Sequence, residues 1–297
     1  MTIEPGGTTA SVPTAPLGRR RVGRVGYGAM QLAGHTRPVA DEDAVAVLRS
    51  AVELGVTHVD TAEFYGDGRV NSLIRAALAP YPDDLALVTK VGADSVGDTL
   101  VAAQRPEQLR ASVEANLATL GVDRLAVVNL RRTDVPPGIV AEGDQLVDLE
   151  SQLAELVALR DEGKIEGIGL SHVDADQLAR ALPAGIVCVQ NAENLLYPGV
   201  PGVRDLCLEH HVAWVPYFPL GSGFPLMRSV ADHPAVVEVA RARGVTPAQV
   251  GLAWLLCRDD VTLVIPGTTS VAHLEENVAA GGLRLDDPEL AALRAAV

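Results

Sequence analysis

Three groups of polar residues stand at the ends of short apolar runs. Asp60 closes the run Val56–Val59 and leads into Thr61-Ala62-Glu63-Phe64-Tyr65-Gly66. Lys90 ends the run Leu85–Thr89, and Asn129, Arg131 and Arg132 end the run Leu125–Val128. A carboxylate, an ammonium and a phenol brought together make a set for moving a proton. A free phenol titrates near ~10, so acid work at neutral pH needs a neighbouring cation. A buried lysine beside an aspartate supplies one. Taken singly, each residue also has a plain structural role. Asp60 could cap a helix, Lys90 could snorkel at a rim, and Tyr65 could pack a loop. Their joint placement at the ends of consecutive strands favours the chemical reading. So does rarity, because only two of the 24 basic residues are lysines, Lys90 and Lys164.

The elements that would hold these residues follow a regular alternation. Eight apolar runs read as strands: Gly23–Gly28, Thr57–Ala62, Leu85–Val91, Leu125–Leu130, Ile165–Ser171, Val187–Asn191, Ala213–Phe218 and Thr262–Pro266. Amphipathic stretches lie between them. Asp41–Leu54 places Ala44, Val47, Leu48 and Ala51 on one face, and Gln145–Arg160 does the same with Leu146, Leu149, Leu153, Leu156 and Leu159. Asp41, Pro106 and Pro247 mark helix starts, and Gly55, Gly121, Gly163 and Gly244 mark ends. Strands alternating with helices imply an α/β fold with a parallel sheet. Eight such units in this length fit a closed (β/α)8 barrel, a single domain over residues 17–297. An open doubly wound sheet would show a glycine fingerprint before its first helix, and Gly23–Gly28 has the wrong order for one. The loops Gly92–Arg105 and Arg132–Asp144 follow strands, so they belong to the C-terminal face where barrel active sites lie.

Composition narrows the partners. The formal charge is −14, which argues against nucleic-acid or anionic-membrane binding. Cys188, Cys207 and Cys257 are far apart and form no CxxC, as expected of reduced thiols in a cytoplasmic protein. No apolar stretch reaches membrane-spanning length, and no secretory h-region opens the chain. Residues 1–16, rich in Thr, Pro and Gly, read as a flexible leader. His210-His211 lacks an acidic partner at metal spacing, and no metal is expected.

Seven motifs resemble the aldo-keto reductase family in order and spacing. They are GYGAM at 26–30, VDTAEFYG at 59–66, VTK at 88–90, IGLS at 168–171, VQN at 189–191, PYFPLGSG at 216–223 and IPGTTSVAHLEEN at 265–277. The resemblance implies a (β/α)8 barrel that reduces an aldehyde or ketone with NAD(P)H. It implies Tyr65 as general acid, with Lys90 and Asp60 tuning its proton. Ser171, His172 and Gln190 would meet the nicotinamide carboxamide, and Tyr217 would stack on the ring. Leu220 and Ser222 would lie along the pyrophosphate. Gly267, Thr268, Thr269, Ser270, His273, Glu276 and Asn277 would surround the adenosine end. Met30, Phe64, Phe218 and Phe224 would shape the substrate pocket.

Three departures from the family pattern stand out. The histidine expected at the end of the fourth strand is replaced by Arg131, within Asn129-Leu130-Arg131-Arg132-Thr133-Asp134. Arginine there would donate to a developing alkoxide or to an anionic substrate group, or turn aside to pair with Asp134. The VVNLR run resembles a branch of the family that includes bacterial pyridoxal reductases. His172 stands where the family has Asn, and Gly267 and His273 stand where NADPH-preferring members place Lys and Arg. NADPH is expected from the family, with NADH the alternative. Reduction of a C=C or C=N bond, or nucleotide sensing with weak catalysis, are the rival functions. The sequence leaves the oligomeric state open.

Overall fold

A computed structural model describes residues 13–34, 37–97, 99–134, 138–221 and 227–295. A hairpin, β1 (Thr14–Leu17) and β2 (Arg20–Gly23), opens the chain. There follow β3 (Tyr27–Gly28), α1 (Asp41–Glu53), β4 (His58–Asp60), α2 (Arg69–Leu78) and β5 (Ala86–Val91). Next come β6 (Ala93–Val96), β7 (Thr99–Ala102), α3 (Pro106–Leu120), β8 (Leu125–Arg131) and α4 (Leu149–Asp161). Then come β9 (Ile165–Ser171), α5 (Ala175–Ala181), β10 (Ile186–Gln190), α6 (Val203–Glu209) and β11 (Ala213–Trp214). Helices α7 (Pro234–Arg243), α8 (Pro247–Leu256), α9 (Val271–Ala279) and α10 (Asp287–Ala295) complete it.

Seven strands form one parallel sheet in the order β11-β10-β9-β8-β5-β4-β3. The segment expected as the eighth strand, Thr262–Pro266, closes the ring by isolated bridges instead of a full ladder. Thr262 pairs with Trp214 and Val264 with Val25. Leu263 N donates to Trp214 O at 2.8 Å, and Gly26 N donates to Val264 O at 2.8 Å. The result is the predicted (β/α)8 barrel with a short seam. Strands β5 and β8 are buried on both faces apart from the end of β8, as helix-covered parallel strands must be.

Two boundaries differ from the sequence reading. The leader does not extend to residue 16, because Thr14–Leu17 pairs with β2 and buries Ala15 and Leu17; residues 1–12 lie outside the described residues. The helix predicted from Gln145 begins at Leu149, because Asp148 accepts from Ser151 N at 2.8 Å and caps it. Leu146 is left 66% exposed, outside the apolar stripe it was placed on. The loop after β5 contains its own antiparallel hairpin, β6 with β7.

Polar residues are built into the barrel interior. Gly169 has no side chain because the Asn129 carboxamide fills that space, 2.0 Å from where a Cβ would lie. Asn129 is thus fully buried and accepts from the Cys188 thiol at 3.1 Å. His58 is treated the same way. Its Nε2 lies 2.1 Å from a Cβ position on Gly26, and neither ring nitrogen has a hydrogen-bond partner. All three cysteines are free thiols. No helix among the described residues is long and apolar enough to cross a membrane.

Candidate active site

The parallel register brings the predicted polar residues to one end of the barrel. Gly28 pairs with Asp60, Lys90 with Asn129, Arg131 with Ser171, and Ser171 with Gln190. Each therefore sits at or near the C-terminal tip of its strand.

Asp60 and Lys90 form a buried ion pair, 3% and 4% exposed. The Lys90 ammonium donates to Asp60 Oδ1 and to Thr61 O, the latter at 3.2 Å. The second carboxylate oxygen, Oδ2, accepts from Gln190 Nε2 at 2.6 Å. Burial works against the Lys90 charge, but the Asp60 carboxylate and then the Tyr65 oxygen outweigh it. The ammonium is held above the ordinary lysine value. Nζ lies 5.2 Å from the centroid of the Tyr65 ring. Tyr65 is 9% exposed and packs edge-on against Phe64, with ring centroids 5.2 Å apart.

The loop carrying Tyr65 is anchored by a buried polar network that the sequence reading missed. Thr61 Oγ1 donates to Asn71 Oδ1 at 2.8 Å, and Asn71 Nδ2 donates to Glu63 Oε2 at 2.6 Å and to Asn116 Oδ1 at 3.0 Å. Thr119 Oγ1 donates to Glu63 Oε2 at 2.8 Å, and Thr89 Oγ1 donates to Asn116 Oδ1 at 2.6 Å. Burial raises the Glu63 carboxyl despite these bonds. The available signal was an asparagine on the apolar stripe of each of α2 and α3.

Arg131 does not turn to Asp134. That carboxylate is taken by Arg132, at 2.6 Å from Nη2, and by Gln177 Nε2 at 2.6 Å. The pairing falls one residue later than expected, and Arg132 also donates to Gln152 and to Val147 O. Arg131 Nε is buried with no hydrogen-bond partner, and the guanidinium forms no ion pair among the described residues. Its backbone is pinned by Gln104, whose Nε2 donates to Arg131 O at 2.8 Å. Gly92, at φ +98°, makes room there, since a Cβ would lie 2.4 Å from Arg131 O.

Two buried acceptor atoms beside the Asp60–Gln190 bond are left open. Ser171 Oγ and Gln190 Oε1 have no partner among the described residues, and the residues are 0% and 1% exposed. A hydroxyl and an amide oxygen are the complement of a primary carboxamide, which offers one carbonyl and two N–H donors. The residues present thus fit a nicotinamide. His172 stands at φ +60°, and its Nδ1 lies 3.2 Å from the Tyr217 hydroxyl. Tyr217 is partly buried and packs edge-on against Phe218 at 5.1 Å. Burial pushes its phenol up, and the Arg131 charge pulls partly back. Leu220 packs toward Gly251 of α8. Met30 packs at the edge of the main core. Ser222 and Phe224 lie outside the described residues.

The segment before α9 gathers the remaining predicted contacts. Gly267 cannot carry a side chain, because a Cβ would lie 2.6 Å from Gly28 O; this is the steric reason no lysine stands here. Thr268 is 9% exposed, and its carbonyl accepts from the Tyr27 hydroxyl at 2.6 Å. Its Oγ1 accepts from Ser270 N, and Ser270 Oγ caps α9 by accepting from His273 N. His273 is exposed, Glu276 partly buried and Asn277 5% exposed. Thr269 Oγ1 accepts from Arg37 Nη2 at 2.6 Å. Arg37, on the loop between β3 and α1, was not expected here. A lone arginine in an irregular loop carries no periodic signal.

The barrel and this strand-end cluster define a class. The Aldo/keto reductase family model matches residues 24–297, and the chain belongs to that family. It is 44% identical over 285 residues to pyridoxine 4-dehydrogenase of Escherichia coli K12, covering 94% of this chain and 96% of the relative. An aldo/keto reductase from Klebsiella pneumoniae, solved in complex with NADP and acetate, superimposes with a TM-score of 0.79. It is 26% identical and covers 94% of this chain and 93% of that one. The K. pneumoniae aldo-keto reductase in complex with NADPH gives a TM-score of 0.78, also at 26% identity, covering 95% and 93%.

Proposed function

We propose that this protein reduces the carbonyl group of a small aldehyde or ketone with NADPH in the cytoplasm, with a pyridoxal-like aldehyde as the substrate. The observation that carries the reading is the Gln190–Asp60–Lys90 chain buried beside Tyr65. Its charge is directed at a phenol, and a purely nucleotide-binding barrel has no use for it.

When bound, the dinucleotide supplies a hydride to the carbonyl carbon. Ser171 Oγ donates to the carboxamide oxygen and Gln190 Oε1 accepts from its nitrogen, which fixes the ring face offered to the substrate. Tyr217 stacks on that ring, steadied by His172 at its hydroxyl. Tyr65 holds a proton on its phenol oxygen and gives it to the substrate oxygen as charge develops there. The Lys90 ammonium favours the phenolate that remains, and Asp60 keeps the ammonium in place. Arg131, with its Nε unpaired, donates to the developing alkoxide or to an anionic oxygen next to it on the substrate. In pyridoxal that neighbour is a phenolate.

Oxidation of NADPH, followed at 340 nm with pyridoxal and a panel of aldehydes, tests the reading. Wild type turns over, and Tyr65→Phe loses about 10²- to 10⁴-fold in kcat with little change in NADPH affinity. Tight NADPH binding with no turnover across the panel would overturn the assignment in favour of a sensor.

A further inference from the structure

We infer that Arg37, reaching across the barrel seam to Thr269, is the cation that selects a 2′-phosphorylated dinucleotide over its unphosphorylated counterpart. The inference rests on the reading above that a nicotinamide dinucleotide binds with its adenosine end near residues 267–277.

A phosphate monoester at pH 7 carries close to two negative charges, and its recognition calls for a cation with several aligned donors. The segment that would meet it supplies none from within. Gly267 is sterically barred from being anything larger by Gly28 O. His273 offers a ring of which the capping bond uses only the backbone N–H, and the next polar side chains on α9 are the acids Glu275 and Glu276.

Arg37 fills this gap from a different part of the chain. Residues 28–31, at the start of the β3–α1 connection, run alongside the segment. Gly28 N donates to Pro266 O at 3.3 Å, and Gln31 Cγ lies 3.0 Å from a Cβ position on Gly267. Arg37 Nη2 then donates to Thr269 Oγ1 at 2.6 Å. Arg37 is exposed and forms no ion pair among the described residues, whereas half of the arginines here are paired with a carboxylate. Among the described residues one of its five N–H donors is used. The hydroxyls of Thr268, Thr269 and Ser270 each accept one hydrogen bond, so each keeps its own proton to donate. One guanidinium on the Thr269 hydroxyl, flanked in sequence by the hydroxyls of Thr268 and Ser270, makes a receptor for a phosphate monoester.

Calorimetric titration of the full-length protein with 2′,5′-ADP, 5′-AMP, NADP+ and NAD+ tests this without requiring turnover. Wild type should bind 2′,5′-ADP well ahead of 5′-AMP. Arg37→Ala, a change at an exposed position, should weaken 2′,5′-ADP and NADP+ by about 10- to 100-fold while leaving 5′-AMP and NAD+ within about twofold. Arg37→Lys should restore part of the loss, because charge returns without the planar fork. Equal losses for both nucleotides, no loss for either, or a wild type that favours 5′-AMP would overturn the assignment. A wild type that binds neither NADP+ nor NAD+ would instead overturn the dinucleotide reading on which it rests.

Discussion

Asp60→Asn removes the counter-charge from an ammonium that is 4% exposed. Lys90 would keep the neutral acceptor Thr61 O at 3.2 Å but no nearby carboxylate. Breaking a buried pair from one side costs about 3–5 kcal/mol, because a charge is left desolvated and uncompensated. Lys90→Met makes the mirror-image change. It strands a carboxylate that retains only the neutral donor Gln190 Nε2, and a similar cost of about 3–5 kcal/mol is expected. The double variant Asp60→Asn/Lys90→Met removes both charges and leaves a neutral amide beside an apolar chain. Replacing a buried pair outright is often neutral or stabilising by about 1–4 kcal/mol, so the double variant should be more stable than either single one. A coupling energy of about 5 kcal/mol or more should follow. Urea unfolding at pH 7 without coenzyme, followed by far-UV circular dichroism, measures all four forms. Turnover should fall steeply in all three variants, including the one whose stability recovers. If the double variant loses as much stability as the two single variants combined, the reasoning that the pair is kept for its chemistry, and not for folding, is refuted.

Arg131→Ala should lower kcat/KM by about 10²-fold or more, the scale of losing an oxyanion donor, while NADP+ affinity stays within a few-fold; unchanged turnover would remove Arg131 from the chemistry. If its partner is an anionic substrate oxygen, the loss should be larger for 2-hydroxybenzaldehyde than for benzaldehyde. His58, buried with both nitrogens unpaired, is pushed down from 6.5 to about 4 by desolvation. The unfolded chain takes up this proton at the ordinary value and the folded chain does so only near pH 4. Between those values the unfolded state therefore binds more protons, and stability falls as pH falls, by about 3 kcal/mol in all. His58→Leu should flatten this part of the stability curve in chemical denaturation from pH 7 to 4. An unchanged slope would show that another group sets it.

Much of the fold was legible because parallel strands covered by helices are continuous apolar runs, and seven of the eight runs supply the strands of the sheet. The seam was overestimated. Thr262–Pro266 reads like the other runs, but its neighbour β11 is two residues long, so bridges replace a ladder. The start of α4 was misplaced because Leu146 continues the apolar period through a capped terminus, and Asp148 decides the boundary. In the site, Asp60 and Lys90 were legible as strand-end residues and Gln190 through the family resemblance, and the structure joins the three directly. The partner of Arg131 was not, since two adjacent arginines compete for one aspartate and only three dimensions show that Arg132 takes it. Arg37 and the Asn71–Asn116 network are joined to their partners across tens to hundreds of residues. The asparagines mark the stripes of their own helices, but local sequence does not name the partner in pairings of that range.

An enzyme that reduces carbonyl compounds is also exposed to them as reagents, because a free amine condenses with an aldehyde or ketone to an imine. The reaction needs the unprotonated amine. This chain has two side-chain amines in 297 residues. One, Lys90, is buried and held protonated by Asp60. The other, Lys164, is bound to Glu114 at 2.7 Å and Glu162 at 3.1 Å, and those bonds likewise raise it above its ordinary value. Guanidinium groups occupy the remaining basic positions and do not form imines under such conditions. The surface therefore gives the substrate almost nothing to capture, and the one amine the chemistry needs is shielded from modification by the same ion pair that aims its charge at Tyr65.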